Sequence, residues 1–291
     1  MMDEMTSNCM INGIAADHLM ISDRSIHYGD GLFETILCSD NKLYYWQQHY
    51  HRLRSSAEKL KITCPDERTF LQDIKELVSN NIAGNSYVIK IILSRGFGER
   101  GYGYSSGISA NRIVLLSQLD ASYSSMLSNT LLHGELFICE QQVSINESLA
   151  GLKHLNRLEN VMARNEWNDK TMKFIDGLML NADQQVIEGT MSNLFAIRDG
   201  KIFTPGLERS GIRGVMRDAV RELAANNGLS LSITGLSLDD LLGMDELFIT
   251  NSLIGMKRVT KLGDKIFKDV AVTDLIFKAL LVSKEDYAQA I

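Results

Sequence analysis

Residues 174–205 contain the pattern that most restricts how this chain can fold. Short apolar runs separated by polar turn residues follow one another in FIDGLMLNADQQVIEGTMSNLFAIRDGKIFTP. Asp199-Gly200, between NLFAI and KIFT, is a strong β-hairpin signal because both residues accept the positive φ angles of a tight turn. Apolar residues then recur at helical spacing through 210–228, and Asn227-Gly228 predicts the end of that helix. The sequence therefore predicts a β-meander followed by a helix.

The rest of the chain also mixes strand and helix patterns. Helical spacing predicts helices over 47–62, over 70–81, from Lys153 onward and briefly within 236–253. Apolar runs bounded by turn residues predict strands within 10–21, 31–46, 86–96, 111–119, 135–143 and 236–253. Because both types occur in both halves, the predicted fold class is α/β and α+β, in two domains. The polar segment 120–129 is the predicted linker between a smaller N-terminal α+β domain, 1–119, and a larger C-terminal α/β domain, 130–291.

Composition argues against several classes of protein. The formal net charge of −6 is opposite to the basic face that a nucleic-acid-binding protein needs. No apolar run is long enough to span a membrane, and MMDEMTSNCM lacks the basic-then-apolar order of a secretion signal. The four cysteines, Cys9, Cys38, Cys64 and Cys139, are scattered without the spacing of metal ligands. We therefore expect no metal, no disulfide framework and a cytoplasmic location.

A lysine lies at the start of a predicted helix in GLKHLNRLENV, residues 151–161. Helical spacing places four apolar side chains on one side, which predicts a buried face formed by Leu155, Leu158, Val161 and Met162. Most lysines are solvated surface charges. The alternative for Lys153 is a catalytic amine, which needs burial or a neighbouring cation to lower its pKa. His154 and Arg157 supply positive charge nearby, and both interpretations stay open.

Four further features each have a structural and a functional interpretation. Glu188 in VIEGTMSNLF is either a turn acid or a carboxylate that keeps a proton on a heteroaromatic ring nitrogen. SGIRG, residues 210–214, is either a flexible helix entry or an anion site made of helix N-terminal amides and glycines. Arg52 is either a solvated helical arginine or a phosphate ligand. Thr250-Asn251-Ser252 either caps a turn or completes a phosphate site.

Taken together, these residues match one cofactor. Pyridoxal 5′-phosphate requires an amine for its aldehyde, a carboxylate for its ring nitrogen and an anion site for its phosphate. The chain has neither the P-loop of nucleotide-binding proteins nor the G-x-S-x-G of serine hydrolases. The combination therefore favours pyridoxal-phosphate chemistry.

The run from Glu188 to Arg217 resembles the signature of the class IV pyridoxal-phosphate-dependent aminotransferase-like enzymes. The matching positions are Glu188, Asn193-Leu194-Phe195, Ile202, Thr204, Ile212, Gly214, Val215 and Arg217. Within that family, three stretches resemble the 4-amino-4-deoxychorismate lyase branch, namely GLKHLNRLENV, SDRSIHYGDGLFETI (22–36) and LSRGFGERGYGYSS (93–106). Arg100-Gly101-Tyr102 departs from the Arg-x-His of D-amino acid aminotransferases, and Thr35 from the glycine of branched-chain enzymes.

The resemblance implies a fold type IV, D-amino acid aminotransferase-like architecture, with two domains, the active site between them and a pseudo-barrel in the larger one. It implies pyridoxal 5′-phosphate as the cofactor, bound covalently by Lys153, with Glu188 at the pyridine nitrogen. The other implied cofactor-binding residues are Arg52, Arg157, Ile212, Arg213, Asn251 and Ser252. A homodimer is implied as well, because in this family the loop that carries the substrate arginine can come from the partner subunit.

The same resemblance implies conversion of 4-amino-4-deoxychorismate to 4-aminobenzoate and pyruvate, a step of folate biosynthesis. Lys153 and Thr35 are the implied catalytic residues, and Arg100, Tyr102 and Tyr28 the implied substrate-binding residues. An aminotransferase acting on D-amino acids or branched-chain amino acids is the alternative within the family. A cofactor-free binding protein on the same scaffold is the alternative from another functional class.

Overall fold

The computed structural model describes residues 8–81, 86–167 and 173–291. Its helices are α1 (Arg24–Tyr28), α2 (Trp46–Leu60), α3 (Glu67–Ser79), α4 (Ser125–Ser128), α5 (Leu158–Asn165), α6 (Val215–Asn226), α7 (Leu238–Leu242) and α8 (Ala271–Ser283). Its strands are β1 (Cys9–Ile11), β2 (Ile14–Ala15), β3 (Gly31–Ser39), β4 (Lys42–Tyr44), β5 (Ser86–Ser94), β6 (Asn111–Gln118), β7 (His133–Ile138), β8 (Phe174–Leu180), β9 (Val186–Gly189), β10 (Asn193–Arg198), β11 (Lys201–Pro205), β12 (Leu231–Thr234), β13 (Glu246–Asn251), β14 (Gly255–Leu262), β15 (Lys265–Ile266) and β16 (Ala288–Ala290). Most of the N-terminal MMDEMTSNCM, on which the signal-peptide prediction depends, lies outside the described residues.

The chain divides into two compact units. The first contains the described residues up to Asp120 together with Lys153–Asn156 and Glu285–Ile291. The second contains Ala121–Leu152 and Arg157–Lys284. Lys153–Asn156 and Glu285–Ile291 therefore belong to the first unit, although the sequence analysis places both segments in the C-terminal domain.

The predicted linker 120–129 is folded, and all of it except Asp120 belongs to the second unit. It contains a 3-10 turn, Ala121–Tyr123, followed by α4. Ser125 donates its backbone N–H to the Ile254 carbonyl at 3.0 Å, and Met126 is fully buried. Polar composition predicts a linker here, but small polar side chains such as serine also fit a buried turn when their backbone groups are paired.

The first unit is built on a seven-stranded sheet in the order β16-β4-β3-β5-β6-β1-β2. β3 and β5 pair antiparallel along their whole length. α2 and α3 bury Leu53, Phe70 and Ile74 in the core of this unit. A hairpin turn at Asn12-Gly13, inside the strand region predicted over 10–21, joins β1 to β2, with φ angles of 53° and 84°. β16 pairs with β4, which explains why the last residues of the chain belong to this unit.

The segment Lys153–Asn156 is extended, so the prediction of a helix starting at Lys153 is wrong. Phe33 donates its backbone N–H to the Lys153 carbonyl at 2.9 Å, and Leu155 donates to Gly31 at 3.0 Å. These two bonds attach the segment to the first half of β3. Pairing with a strand more than 100 residues away in the sequence outweighs the local helical spacing.

Helix α5 begins at Leu158, and its apolar face is exposed rather than buried. Leu158 is 72% exposed, while Val161 and Met162 are each 54% exposed. Ala163 is the buried residue of this helix. The prediction of a buried face is therefore wrong for the single chain, because helical spacing identifies an apolar stripe but not what covers it.

The second unit contains a nine-stranded sheet whose main path is β12-β11-β10-β13-β14-β7-β8-β9. β9, at one end of this path, also contacts β11, near the other end. The sheet therefore curls back on itself, as the predicted pseudo-barrel requires. Asp199-Gly200 forms the predicted hairpin turn between β10 and β11, with φ angles of 50° and 74°.

Helix α6 begins at Val215, five residues later than the predicted start at Ser210. The residues before it form a β-bridge, Gly151↔Ile212, and Gly211 has a φ of +83°. A positive φ is incompatible with an α-helix and is accessible mainly to glycine. Among the helices of the described residues, none combines the length and hydropathy required to span a membrane.

Candidate functional site

Lys153 lies beside strand β3 of the first unit. Its backbone carbonyl accepts the N–H of Phe33, and its Nζ lies 4.3 Å from the centroid of the Phe33 ring. The side chain is half-buried. An aromatic face near an amine provides an apolar wall and limits the water around the nitrogen. The fold therefore holds the Lys153 amine against β3.

Thr35 lies on the same face of β3 as Phe33, because side chains two residues apart in a strand point the same way. Thr35 pairs directly with Lys90 of β5, and Lys90 Nζ lies 5.6 Å from the Phe33 ring centroid. Lys153, Thr35 and Lys90 therefore share one face of the first sheet. Lys90 is not among the predicted site residues; a lysine inside the apolar run SYVIKIILS is the signal that indicates it.

The opposite face of β3 carries a buried ion pair with α2. Arg52 donates from Nε to Glu34 Oε1 at 2.8 Å and from Nη2 to Glu34 Oε2 at 2.5 Å. His49 Nδ1 lies 2.6 Å from the same carboxylate. A bidentate carboxylate fixes the plane of a guanidinium. Arg52, the predicted phosphate ligand, is thus held rigidly by Glu34.

Burial alone would raise the pKa of Glu34, but the positive charge of Arg52 and the hydrogen bonds from His49 and Arg52 lower it to about 2. Burial lowers the pKa of His49, and the charges of Arg52 and Lys153 act in the same direction, against the effect of Glu34. The pair therefore carries an ionised carboxylate and an arginine at neutral pH. Lys153 is close enough to contribute to the electrostatics of this cluster.

In the second unit, Glu188 of β9 is 3% exposed. Its Oε2 accepts the backbone N–H of Ile212 at 2.8 Å and lies 3.4 Å from Asn193 Nδ2. Asn193 Nδ2 also donates to the Ile212 carbonyl at 2.9 Å. The carboxylate is thus buried and oriented, as a group that holds a ring-nitrogen proton must be. Asn193, which enters the sequence analysis only as a signature position, is its side-chain partner.

A second buried carboxylate supports the turn between β9 and β10. Asp176 accepts the Thr190 hydroxyl at 2.5 Å, the Ser192 hydroxyl at 2.6 Å and the Met191 N–H at 3.2 Å. Burial raises the pKa of Asp176, and these hydrogen bonds oppose that effect. The turn connects Glu188 to Asn193, so Asp176 fixes the backbone on which both residues lie.

The SGIRG segment lies directly beside Glu188, and two of its amides, those of Ile212 and Arg213, are already paired. The Ile212 N–H donates to Glu188, and the Arg213 N–H donates to the Gly151 carbonyl at 3.1 Å. A phosphate bound by these two N–H groups would replace those two acceptors. The Arg213 side chain points to solvent and bonds Asp218 at 2.9 Å.

Arg157 lies at the N-terminal cap of α5 and is half-buried. Burial lowers the pKa of its guanidinium, whereas the negative charges of Glu188 and Glu159 act in the opposite direction. Arg157 therefore lies within the electrostatic field of Glu188.

Asn251 and Ser252 lie where β13 turns into β14. Asn251 Oδ1 accepts the N–H groups of Leu253 and Ile254, both at 2.9 Å, so the side chain shapes the turn. Thr250 pairs directly with Asn193 of β10 and is 1% exposed. Among the described residues, its buried hydroxyl has no hydrogen-bond partner. A buried hydroxyl without a partner, next to Asn193, fits a site that is completed by a polar ligand.

Arg100 and Tyr102 lie in the glycine-rich loop after β5, and both are exposed. The Tyr28 hydroxyl of α1 accepts the Gly101 N–H at 3.0 Å, and the Tyr28 and Tyr102 rings are 5.4 Å apart. The loop thus brings Tyr28 and Tyr102 together, and Arg100 lies two positions before Tyr102 in the same loop. GFGERG has the spacing G-x-G-x-x-G, but strand β6 follows it rather than a helix, so it is not a dinucleotide site.

The predicted residues therefore form two groups, one in each unit. Lys153, Thr35, Arg52, Arg100, Tyr102 and Tyr28 belong to the first unit. Glu188, Arg157, Ile212, Arg213, Asn251 and Ser252 belong to the second. Lys153 follows Gly151, the residue bridged to Ile212, by two positions in the sequence. The donor set comprises an amine, a buried carboxylate, a fixed guanidinium and an orphan hydroxyl, which is the chemistry that pyridoxal phosphate needs.

Comparison with known proteins decides which family has this arrangement. Residues 31–262 match the family model described as amino-transferase class IV. The chain belongs to the class IV amino-transferase family. An aminodeoxychorismate lyase from Vibrio harveyi is 38% identical to this class IV chain over 251 residues, which cover 86% of the chain and 89% of the relative.

Solved structures share the class IV fold. The 4-amino-4-deoxychorismate lyase from Pseudomonas aeruginosa has a TM-score of 0.82 and 33% identity, and the match covers 94% of this chain and 99% of that one. The T.th. branched-chain amino acid aminotransferase, solved with pyridoxamine 5′-phosphate, has a TM-score of 0.81 at 19% identity, over 97% of each chain. The predictions of a class IV family, a fold type IV architecture and pyridoxal-phosphate dependence are confirmed at the level of the family.

Proposed function

We propose that this chain is a pyridoxal-phosphate-dependent lyase that converts 4-amino-4-deoxychorismate to 4-aminobenzoate and pyruvate. The observation that carries the proposal is the shared face of β3 and β5, where the Lys153 amine, the Thr35 hydroxyl and the Lys90 ammonium lie together. On this face, Lys153 provides a base, Thr35 a hydroxyl that can donate a hydrogen bond, and Lys90 a positive charge that can bind a substrate carboxylate. The similarity to lyases from two organisms supports the same substrate.

The cofactor supplies an electron sink for the negative charge that forms when a substrate C–H proton is removed. In this proposal, Lys153 holds the cofactor aldehyde, and Glu188 keeps the ring nitrogen protonated. Arg52, the SGIRG amides of Ile212 and Arg213, and Asn251-Ser252 hold the phosphate. Arg157 would hold the ring oxygen, because its positive charge is compatible with an anion.

The reaction requires one proton to leave a ring carbon and one carbon–oxygen bond to break. The Lys153 amine would remove that proton as general base. The Thr35 hydroxyl would donate a hydrogen bond to the departing enolpyruvyl oxygen, which leaves as the enolate of pyruvate and takes up the proton that Lys153 has removed. The ring becomes aromatic in this step, so the residues mainly align groups and move protons.

The substrate carries two carboxylates, and the first unit offers two cations for them. Lys90 lies directly opposite Thr35, and Arg100 is on the exposed loop with Tyr102 and Tyr28. An arginine binds a carboxylate with two parallel hydrogen bonds, whereas a lysine acts as a point charge. We assign Arg100 and Lys90 to the two carboxylates of the substrate.

The test combines lysine mapping with an assay that contains no amino acceptor. Borohydride reduction followed by peptide mapping should find the cofactor on Lys153, and the Lys153→Ala variant should lose both the adduct and turnover. Lys90→Ala is the matched control, because it should keep the adduct while binding substrate more weakly. Wild-type enzyme should release 4-aminobenzoate without a keto acid. An adduct on another lysine, or no 4-aminobenzoate, would overturn the proposal.

An aminotransferase acting on branched-chain or D-amino acids is the second candidate, and the family model named for amino-transferases supports it. An aminotransferase needs a keto acid acceptor and shows ping-pong kinetics, whereas the lyase does not. The D-amino acid variant has less support, because Arg100-Gly101-Tyr102 lacks the histidine of the Arg-x-His loop. Turnover that depends strictly on an added keto acid would favour this candidate.

We also propose that the enzyme is a homodimer and acts in the cytoplasm. The exposed apolar face of α5, formed by Leu158, Val161 and Met162, supports a second copy as its partner. Cys38, Cys64 and Cys139 are free thiols, which supports a reducing compartment.

A further inference from the structure

A buried arginine lies beneath the loop that carries Arg100 and Tyr102. Arg24, in α1, is 4% exposed, although it lies at the edge of an exposed loop. Its Nη1 donates to the Gly101 carbonyl at 3.0 Å and to the Gly103 carbonyl at 3.2 Å. Its Nη2 donates to the Tyr102 carbonyl at 3.0 Å. One guanidinium thus binds the backbone of three consecutive residues.

The guanidinium is itself held in place from the opposite side. Arg24 Nε donates to Asp30 Oδ2 at 2.9 Å, and Arg95 Nε donates to the same oxygen at 2.8 Å. Burial alone would raise the pKa of Asp30, but the hydrogen bonds from Arg95 and Arg24 outweigh it and lower the pKa. Arg24 also lies 4.8 Å from the centroid of the Tyr28 ring. The N–H groups of Arg24 are therefore held in a fixed orientation without any ligand.

The glycines of the loop fit this arrangement. A Cβ on Gly98 would lie 2.9 Å from Arg24 Cδ, so only glycine leaves room for the arginine. Gly101, whose carbonyl accepts from the guanidinium, has a φ of +107°, a conformation that is strained for other residues. Tyr102 is 86% exposed, because the backbone curls around Arg24 and the side chain projects outward.

From this geometry we infer that Arg24 is the positioning residue of the loop and sets the affinity for the substrate carboxylate through Arg100 and Tyr102. The inference rests on the proposed function, because it assigns the loop to substrate binding. Arg24 does not touch the substrate. An exposed loop would otherwise lose conformational entropy on binding, and a loop that is already ordered avoids that cost. The signature of such a residue is a change in KM with little change in kcat.

The first test compares Arg24→Lys with Arg95→Lys in the holoenzyme. A lysine offers three donors from one nitrogen and cannot bind three carbonyls and Asp30 together. Arg24→Lys should raise KM for 4-amino-4-deoxychorismate at least about tenfold, with kcat within about twofold of wild type. Arg95→Lys is the control, because Arg95 shares Asp30 but donates to the Leu60 and Lys61 carbonyls at the end of α2. Its guanidinium contacts the loop through the Tyr104 ring, 3.9 Å away, a contact that a lysine can keep, and not through the backbone carbonyls that Arg24 binds. The KM of Arg95→Lys should stay within about twofold of wild type.

A second pair of variants changes the loop instead of the arginine. It tests the clamp, which is the set of hydrogen bonds from Arg24 to the loop carbonyls. Gly101→Ala and Gly107→Ala both replace a glycine of positive φ whose Cβ would meet no atom within 4 Å. Of these two glycines, Gly101 is the one whose carbonyl binds Arg24, so Gly101→Ala should raise KM and Gly107→Ala should not. This pair decides the question even where Arg24→Lys fails to fold.

Backbone hydrogen exchange tests the clamp independently of the proposed reaction, because the measurement needs no turnover. The amides of residues 102–105 should exchange at least about tenfold faster in Arg24→Lys than in wild type or Arg95→Lys, since local opening governs their protection. Wild-type KM and unchanged exchange in Arg24→Lys, or a kcat that falls as much as KM rises, would overturn the inference. A wild-type enzyme without lyase turnover would overturn the proposed function instead, and the exchange measurement would still test the clamp.

Discussion

At the scale of single residues, Thr35 has the most specific role in the proposed reaction. Its hydroxyl lies on the same strand face as Phe33, against which the Lys153 amine packs. Removing a general acid or hydrogen-bond donor of this kind lowers rates by about 10²-fold or more. We therefore expect Thr35→Ala to lower the lyase kcat about 100-fold and Thr35→Ser to retain most of it, because serine keeps the hydroxyl. The cofactor absorbance should be the same in both variants, and full turnover by Thr35→Ala would exclude the role.

Glu34 makes the stability of the first unit sensitive to acid. Its pKa is about 2 in the folded chain against 4.5 for the ordinary carboxyl, so the folded state resists protonation. The contribution, about 3 kcal/mol, is fully present above pH 4.5 and is lost as the pH falls towards about 2. Denaturant unfolding between pH 6 and pH 2, roughly the range over which this carboxyl titrates, should show the loss.

Glu34→Gln is the control for this pH dependence. It leaves Arg52 buried without its carboxylate, which should cost about 3–5 kcal/mol at neutral pH. The difference in stability between wild type and Glu34→Gln should shrink as the pH falls from about 5 to 2. A difference that stays constant over this range would show that Glu34 is not the titrating group.

At the scale of elements, the turn between β9 and β10 depends on Asp176. In Asp176→Asn, one carboxylate oxygen becomes an NH₂ group, which cannot accept the Met191 N–H. The unpaired donors should cost about 1–3 kcal/mol of unfolding free energy. Because Glu188 and Asn193 flank this turn, we also expect weaker cofactor binding, measured by titration of the apoenzyme.

The control for the turn is Ser192→Ala, which removes one hydrogen bond to Asp176 but adds no opposing donor. Its effect on stability and on cofactor affinity should be the smaller of the two. Wild-type stability and wild-type cofactor affinity in Asp176→Asn would exclude the assigned role of this carboxylate.

At the scale of the whole molecule, the apolar face of α5 predicts self-association. A charge in the centre of a dimer interface is buried without a partner, so Val161→Glu should convert the dimer to monomer in sedimentation velocity. Val282→Glu is the matched control: Val282 of α8 is even more exposed, at 82%, but is not part of the α5 face. A Val161→Glu protein that sediments like wild type would show that this face is not the interface.

Local sequence determined most of the elements. The hairpin at Asp199-Gly200, the strands β5 and β6, and the helices α2 and α3 follow from turn chemistry and from the period of apolar residues, which act within a few residues. The family resemblance rests on residues in the same kind of contiguous motif, and the match over 31–262 agrees with it. Sequence alone therefore determined the fold class, the family and the list of candidate residues.

Only the tertiary structure decided how several of those residues are used. Lys153 lies on an extended segment because its carbonyl binds the N–H of Phe33, 120 positions earlier in the chain. Arg52 is paired with Glu34, and Arg24 binds a loop more than 70 residues away. The spacing of apolar residues within GLKHLNRLENV contains no information about partners so far away in the sequence. The physical reason is that hydrogen bonds and ion pairs between distant segments outweigh propensities of a few tenths of a kcal/mol per residue, roughly the span of local helix preferences.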